Sequence, residues 1–308
     1  MSSASVPSPS ARHQHGIVNA VYFVEVAAGG GCVVRISEPR YRDYVKLELW
    51  AIERARATGV PVPELLAADT TATAFPEPYL ITRRVPGLPG DSARLSLPEL
   101  LDVSRDLGRC LARLHRIAVP GFGELAPSAT GPGFGGPHAT LWEYVEAALT
   151  SLAAGLPQHE RPQRRVETIR ARFAPHRALF ERRVASFLHG DVQGKNLVVA
   201  HGRVAALLDF ECAEGGDPAL DFRVIDYWDS KREALLGAMV EGYAREAGDS
   251  GQAEVGQHAA FRRRLLLFEL LYALERLASA YRGREPIGVE EGYRRLDRIE
   301  RALDLLEA

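Results

Sequence analysis

Three oxygen-bearing side chains stand out in the middle of this 308-residue chain. The stretch Phe187-Leu188-His189-Gly190-Asp191-Val192-Gln193-Gly194-Lys195-Asn196-Leu197-Val198-Val199 leads an apolar run into a loop that carries an aspartate. An asparagine follows five residues later, before a second apolar run, and Asp209 lies thirteen residues past it, at the end of the apolar run Val204 to Leu208. Transfer of a phosphoryl group needs such parts: a carboxylate to orient or deprotonate the attacking hydroxyl, and hard oxygen ligands for magnesium. Asp191 suits the first role; Asn196 and Asp209 suit the second. Taken singly, an Asp in a loop or an Asn before a strand is a turn residue. The combination, bracketed by strands, carries the chemistry.

The elements that must position these residues are legible on either side. Val184 to Leu188 and Val204 to Leu208 read as short strands. Upstream, the β-branched and aromatic runs Val18 to Val26 and Cys32 to Ile36, separated by Gly29-Gly30-Gly31, predict a hairpin. Tyr44 to Thr58 predicts a helix with Leu47, Trp50, Ala51 and Ala55 on one face, ended by Gly59, Pro61 and Pro63. Pro78 to Thr82 predicts another strand, stopped by Pro86-Gly87-Leu88-Pro89-Gly90. Beyond it the pattern turns helical. Ser96, Pro98 and Glu99 form a capping box with proline in the first turn, followed by a leucine stripe from Leu97 to Leu114. A glycine-rich loop, Gly121 to Gly136, leads to a helix near Leu141, and residues after Asp226 are helical to the end, strongly apolar from Leu265 to Ala280. The expected organisation is a flexible leader (1–15, rich in Ser, Pro and Ala), a small α+β lobe (16–85) and a larger, mostly helical lobe (86–308).

Bulk properties narrow the function. A formal net charge of -2, with basic residues dispersed, argues against nucleic acid or an anionic membrane as partner. No apolar stretch approaches the roughly 20 residues of a membrane span. Cys32, Cys110 and Cys212 are widely spaced and odd in number, which suits a reducing cytoplasm and offers no metal pair. The nine histidines show no zinc-ligand spacing, and there is no G-x-S-x-G elbow.

His189-Gly190-Asp191 with Asn196, then Leu208-Asp209-Phe210-Glu211 and Gly216-Asp217-Pro218-Ala219-Leu220-Asp221, resemble the aminoglycoside phosphotransferase and choline-kinase-like family. The resemblance runs from about Gly16 to about Tyr243 and implies a bilobal protein-kinase-like α+β fold. It implies Asp191 as catalytic base, Asn196 and Asp209 as Mg2+ ligands, and ATP or GTP as phosphate donor. The role of Glu211 stays open between a carboxylate near metal or substrate and a solvated network residue. Asp217 and Asp221 are expected to brace the catalytic loop through backbone amides. In the small lobe, Gly16 to Tyr22, with Asn19, resembles the nucleotide-positioning loop, although it lacks GxGxxG. With fifteen residues before Gly16, the first strand is expected to be short. Arg35 stands where the resemblance implies a cation for the α- and β-phosphates, with Glu48 placed to pair with it. Protein kinases use lysine there; a guanidinium offers a bidentate fork instead. Thr82, Arg83, Arg84 and Val85 resemble the segment whose backbone receives the purine. His115 reads as a packing or capping histidine, and His189 as a structural one near the metal loop.

The acceptor is expected to be a small-molecule hydroxyl, with an antibiotic (aminoglycoside-like, or nucleoside- or sugar-containing) as first choice. Choline, homoserine, a ketosamine or a thiosugar are the alternatives, with a non-catalytic nucleotide-binding protein behind them. Phe134 to Trp142 and the helices after Asp226 are expected to wall its pocket. Glu211, Asp226, Asp229 and Glu269 are candidate carboxylates for a cationic acceptor. A monomer or homodimer is expected.

Overall fold

A computed structural model describes residues 11–15, 19–25, 30–71, 73, 75–128, 132–181, 184–223, 231–255, 258–284 and 288–307. The chain begins with an antiparallel sheet: β1 (Ala11–His15), β2 (Asn19–Glu25), β3 (Gly31–Ser37), β4 (Leu65–Asp69) and β5 (Tyr79–Arg83), in the order β1-β2-β3-β5-β4. The expected hairpin is β2 and β3, paired from Asn19↔Ser37 to Glu25↔Gly31. Between β3 and β4 runs α1 (Arg42–Ala57), with Leu47, Ala51, Ile52 and Ala55 buried.

Two strands at the sheet edges depart from the sequence reading. Residues 11–15, assigned there to the leader, pair with β2 over all five positions, from Ala11↔Val24 to His15↔Ala20. An edge strand is held by main-chain hydrogen bonds on one side, so its composition need not be apolar. β4 was not foreseen because Leu-Leu-Ala-Ala-Asp shows no alternation; its register against β5 even shifts between Leu65 and Ala67.

The remainder is mostly helical. β6 (Leu88–Pro89) crosses from the sheet, and α2 (Leu97–Leu114) opens on the capping box, with the Ser96 amide donating to Glu99 Oε2 at 2.7 Å. Next come three two-residue strands, β7 (Gly123–Glu124), β8 (Ala126–Pro127) and β9 (Phe134–Gly135), then α3 (Leu141–Gly155), α4 (Glu160–Phe173) and α5 (Ala178–Glu181). Thr140 caps α3 by accepting from the Glu143 amide. β10 (Ser186–Leu188), β11 (Leu197–Ala200), β12 (Arg203–Leu207) and β13 (Glu214–Gly216) form two small sheets, β10-β13-β7 and β12-β11-β6. The loop with Asp191 joins these sheets, and Asp209 leaves the end of the second. α6 (Arg232–Val255, broken at Gly248), α7 (His258–Tyr281) and α8 (Val289–Glu307) complete the chain. α7 is buried along most of its length, which explains its apolar run. Among the described residues no helix is long and apolar enough to cross a membrane.

α2 and α6 approach closely because glycine faces backbone on both sides. A Cβ on Gly108 would fall 2.0 Å from the Met239 carbonyl oxygen, and one on Gly242 1.9 Å from that of Arg105.

Candidate active site

The candidate catalytic loop, His189 to Asn196, is tied down at its start. Gly190 adopts φ +79°, and a Cβ there would lie 1.9 Å from the Cys212 carbonyl oxygen, so only glycine fits. The Asp221 carboxylate accepts the amides of His189 and Gly190, each at 2.9 Å. His115 Nε2 lies 3.0 Å from Asp221 Oδ2, and its Nδ1 lies 3.2 Å from the Tyr243 hydroxyl. Complete burial pushes the Asp221 carboxyl up, but the His115 hydrogen bond and the nearby His115 and His189 outweigh it and hold it below the ordinary carboxylate value. His189 Nε2 faces the Leu208 carbonyl at 2.9 Å, so Nε2 carries the proton and Nδ1 accepts the Asp191 amide at 3.3 Å. One imidazole thereby links the segments carrying Asp191 and Asp209.

Asp191 sits in a set of donors. Asn196 Nδ2 donates to Asp191 Oδ2 and to its main-chain oxygen, both at 2.9 Å. Gln193 Nε2 donates to Oδ1, and Lys195 Nζ lies 3.2 Å from Oδ2. With its nitrogen turned to Asp191, Asn196 keeps its amide oxygen as the ligand-capable atom. Asn196 is also linked to the Asp209 segment, since its carbonyl accepts the Leu208 amide at 2.9 Å.

Asp209 has φ +66° and ψ +70°, a left-handed backbone that Asp tolerates better than most residues and that ends β12 abruptly. Its Oδ1 accepts from Arg35 Nη2 at 3.2 Å, while Arg35 Nη1 donates to Glu48 and Nη2 lies 3.8 Å from Glu211 Oε2. Burial works against the Arg35 charge, but Glu48, Asp209 and Glu211 together raise its pKa. Burial, reinforced by Asp209 and Glu211, lifts the Glu48 carboxyl to about 7 against the pull of Arg35. The site therefore concentrates negative charge around one guanidinium, an arrangement that further cations relieve.

Among the described residues no group of three or more His, Cys, Asp or Glu is arranged to hold a metal ion. Asn196 and Asp209 make a smaller, all-oxygen set. That fits magnesium, which keeps several waters and takes one or two protein oxygens beside substrate phosphates.

A model of the phosphotransferase enzyme family matches residues 11–261. The chain belongs to this family. Solved structures share its protein-kinase-like fold. Aminoglycoside phosphotransferase APH(4)-Ia superposes with a TM-score of 0.66 at 18% identity, over 98% of this chain and 93% of the other. The macrolide 2'-phosphotransferase MphH from Brachybacterium faecium gives 0.59 at 19%, over 93% and 91%. The gentamicin complex of APH(2")-IIa gives 0.63 at 14%, over 93% and 90%.

Around this candidate centre the other expected residues scatter. Asn19 opens β2, and residues 16–18 lie outside the described residues, as do Asp226 and Asp229. Thr82 is buried on β5. The amides of Arg83 and Arg84 are donated within the small lobe, to Glu64 O at 2.8 Å and Gly31 O at 2.9 Å. Their guanidiniums form exposed pairs with Glu64 and Glu25. Val85 follows them at the exit from the sheet. Glu269 is buried on α7 with its carboxylate engaged by Arg232. Asp221 braces the loop as expected; Asp217 accepts the Ala219 amide of its own turn and pairs with buried Arg264 at 3.2 Å. Phe134 packs on Trp50 and Trp142 on Phe180, so these aromatics serve the core.

Sequence reasoning missed two contributions. His115 reaches the catalytic loop through Asp221, a link across 106 residues that only folding creates. Glu214, opposite Leu188 in the β10–β13 pair, forms a buried cluster with Tyr144 (3.4 Å) and Arg223 (3.2 Å) behind the same loop. Its only sequence signal is its place within the resemblance, between Glu211 and Asp217.

Proposed function

We propose that this chain transfers the γ-phosphate of ATP or GTP, bound with magnesium, to a hydroxyl of a small molecule, with an antibiotic as the first class to test. The reading rests on one observation. Glu48 and Arg35 from the small lobe meet Asp209 of the large lobe, while Asn196 turns its nitrogen to Asp191 and keeps its oxygen for a ligand. Residues 11–85, β1 included, then serve as the nucleotide-binding lobe and 86–308 as the catalytic and acceptor lobe.

In this reading the acceptor oxygen bonds to the γ-phosphorus as the bond to the β,γ-bridging oxygen breaks. The nucleoside diphosphate leaves with that electron pair, and the hydroxyl proton passes to Asp191. Asn196 and Asp209 would hold magnesium, which would supply positive charge against the phosphates of the donor. Arg35, fixed by Glu48, supplies guanidinium donors to the α- and β-phosphates. With the Arg83 and Arg84 amides already donated, recognition of the base falls to the carbonyl of Arg83 and the amide of Val85, with Thr82 behind. Related structures support a nucleotide donor and such acceptors: an APH(4)-Ia mutant was solved with ADP and hygromycin B, and APH(2")-IIa with streptomycin and ATP.

Asp191→Asn tests the assignment. It keeps shape and an acceptor oxygen but removes charge and basicity, so kcat is expected to fall by roughly two to four powers of ten. Calorimetric binding of magnesium–ATP is expected to survive, because Asn196 and Asp209 are untouched. Near-normal single-turnover rates with any acceptor from an antibiotic panel would remove Asp191 as the base.

A further inference from the structure

Lys195 brings a positive charge into the candidate centre and has no part in the phosphoryl transfer proposed so far. It stands in a short 3-10 turn, Gly194–Asn196, whose main chain is fixed from two sides. The Gly90 amide donates to the Gly194 and Leu197 carbonyls, each at 2.9 Å, and a Cβ on Gly194 would fall 2.8 Å from the Asp91 nitrogen. Asn196, the next residue, is held by its bonds to Asp191 and by the Leu208 amide. From this fixed backbone the Lys195 side chain reaches back toward the candidate base. Its Nζ lies 3.2 Å from Asp191 Oδ2 while the side chain stays 55% exposed. Burial opposes the ammonium charge, but Asp191 and then Asp209 more than offset it. The ammonium is therefore in the field of both the candidate base and a candidate metal ligand.

The bonds already made to Asp191 decide what that ammonium faces. A carboxylate offers about four lone-pair positions. Among the described residues, Gln193 takes one on Oδ1, and Asn196 and Lys195 take those on Oδ2. An acceptor hydroxyl is left the open side of Oδ1, and it must come within about 3 Å of that oxygen to give up its proton. Lysine and acceptor thus meet on one carboxylate. The phosphoryl group in flight lies against the acceptor oxygen and spreads its charge over three equatorial oxygens. An ammonium carries three donors on a flexible stem, so with one on Oδ2 two remain for those oxygens. Arg35 serves the α- and β-phosphates in the proposed function, which leaves the group in transit without a side-chain cation. As an exposed ion pair alone, Lys195 and Asp191 would add little to stability, and loss of the lysine would leave the reaction untouched.

We propose that Lys195 is a further catalytic residue, whose ammonium donates to the equatorial oxygens of the phosphoryl group in transit on its acceptor side. The role rests on the phosphotransferase reading and deepens it. The acceptor O–P bond forms, and the bond to the β,γ-bridging oxygen breaks with its electron pair leaving on the nucleoside diphosphate. The acceptor proton goes to Asp191. Lys195 keeps all three of its protons and acts by charge alone. Its contact is made with the group in flight, so it discriminates between that group and the diphosphate product.

The test is calorimetry on the full chain with magnesium–ADP, alone and with aluminium fluoride, a mimic of the phosphoryl group in flight. The wild type is expected to bind ADP with aluminium fluoride about tenfold or more tighter than ADP alone. Lys195→Met keeps the reach of the stem and removes the charge. It is expected to lose most of that gain, while ADP affinity stays within about twofold of wild type. Lys195→Arg restores a cation and is expected to recover part of the gain. The exposure of the side chain lets both variants fold. A full gain in Lys195→Met would reduce Lys195 to a surface ion pair and refute its role alone, leaving the phosphotransferase reading intact. Equal losses with and without fluoride would make it a structural residue and also overturn the proposal. So would Lys195→Arg performing no better than Lys195→Met, or a wild type in which fluoride adds nothing to ADP binding. A wild type that binds no magnesium–ADP would refute the phosphotransferase reading, and the role of Lys195 with it.

Discussion

Arg35 is the group on which the two halves of the site converge. Its guanidinium touches Glu48 on one side and Asp209 on the other, so it ties the small lobe to the large one. Arg35→Ala removes charge-assisted hydrogen bonds worth about 1.5–3 kcal/mol each, so nucleotide kcat/KM is expected to fall roughly 10- to 100-fold. Arg35→Lys should recover part of that through charge alone, but not the fork that binds Glu48 and phosphate together. Steady-state kinetics with nucleotide varied at saturating acceptor checks this, and acceptor KM should move less. Wild-type nucleotide kinetics in Arg35→Ala would reduce the pair to a structural ion pair. Asp209→Asn is the companion case: it removes the one charged member of the proposed Asn196–Asp209 ligand pair and should raise the magnesium concentration needed for half-maximal activity.

The helices contribute through how closely they can approach. Gly108 and Gly242 let α2 and α6 pack backbone to backbone, which sets where α2 delivers His115 beneath the catalytic loop. Gly108→Ala forces the Met239 carbonyl away and is expected to destabilise by about 1–3 kcal/mol through overpacking. Gly237→Ala on α6, where a Cβ meets nothing within 4 Å, is the control; it should stabilise by about 0.5–1 kcal/mol because alanine favours helix. Urea unfolding of the two variants gives opposite signs if the glycines act as described. Two substitutions of the same kind, on paired helices, then differ only in what the added methyl meets.

Asp221 binds distant parts of the large lobe together: α2 through His115, and the catalytic loop through two amides. Its carboxyl is held below the ordinary value near 3.8, so the folded state favours the ionised form more than the unfolded chain does. The resulting stability is present in full above the unfolded value and is lost as pH falls through the lower, folded one. Asp221→Asn is therefore expected to cost about 3 kcal/mol at neutral pH, with the difference from wild type shrinking below about pH 4. Urea midpoints between pH 7 and 3 check the sign; a constant difference would show that charge is irrelevant to the brace. Because the nucleotide contacts both lobes in the proposed function, magnesium–ATP at about 100 times its Kd should stabilise the whole chain by about 2.7 kcal/mol, and a chelator should reverse most of it.

The local order of residues determined much by itself. Hydrophobic period and punctuation placed the β2–β3 hairpin, α1, β5 and the capped start of α2, because glycine, proline and capping residues act on their own neighbours. The nearness of Asp191 and Asn196 was legible because the short loop between β10 and β11 leaves so few conformations that sequence distance nearly implies contact. Tertiary structure decided the rest. β1 and β4 are held by partner strands rather than by their own composition. His115 meets Asp221, and Arg35 meets Asp209, across 106 and 174 residues, distances over which sequence periodicity carries no information. The same holds for Glu269. Glu269 reads as an available carboxylate until packing of α6 against α7 sets Arg232 beside it, since the sign of a pocket depends on which side chains share it and not on which residues adjoin in the chain.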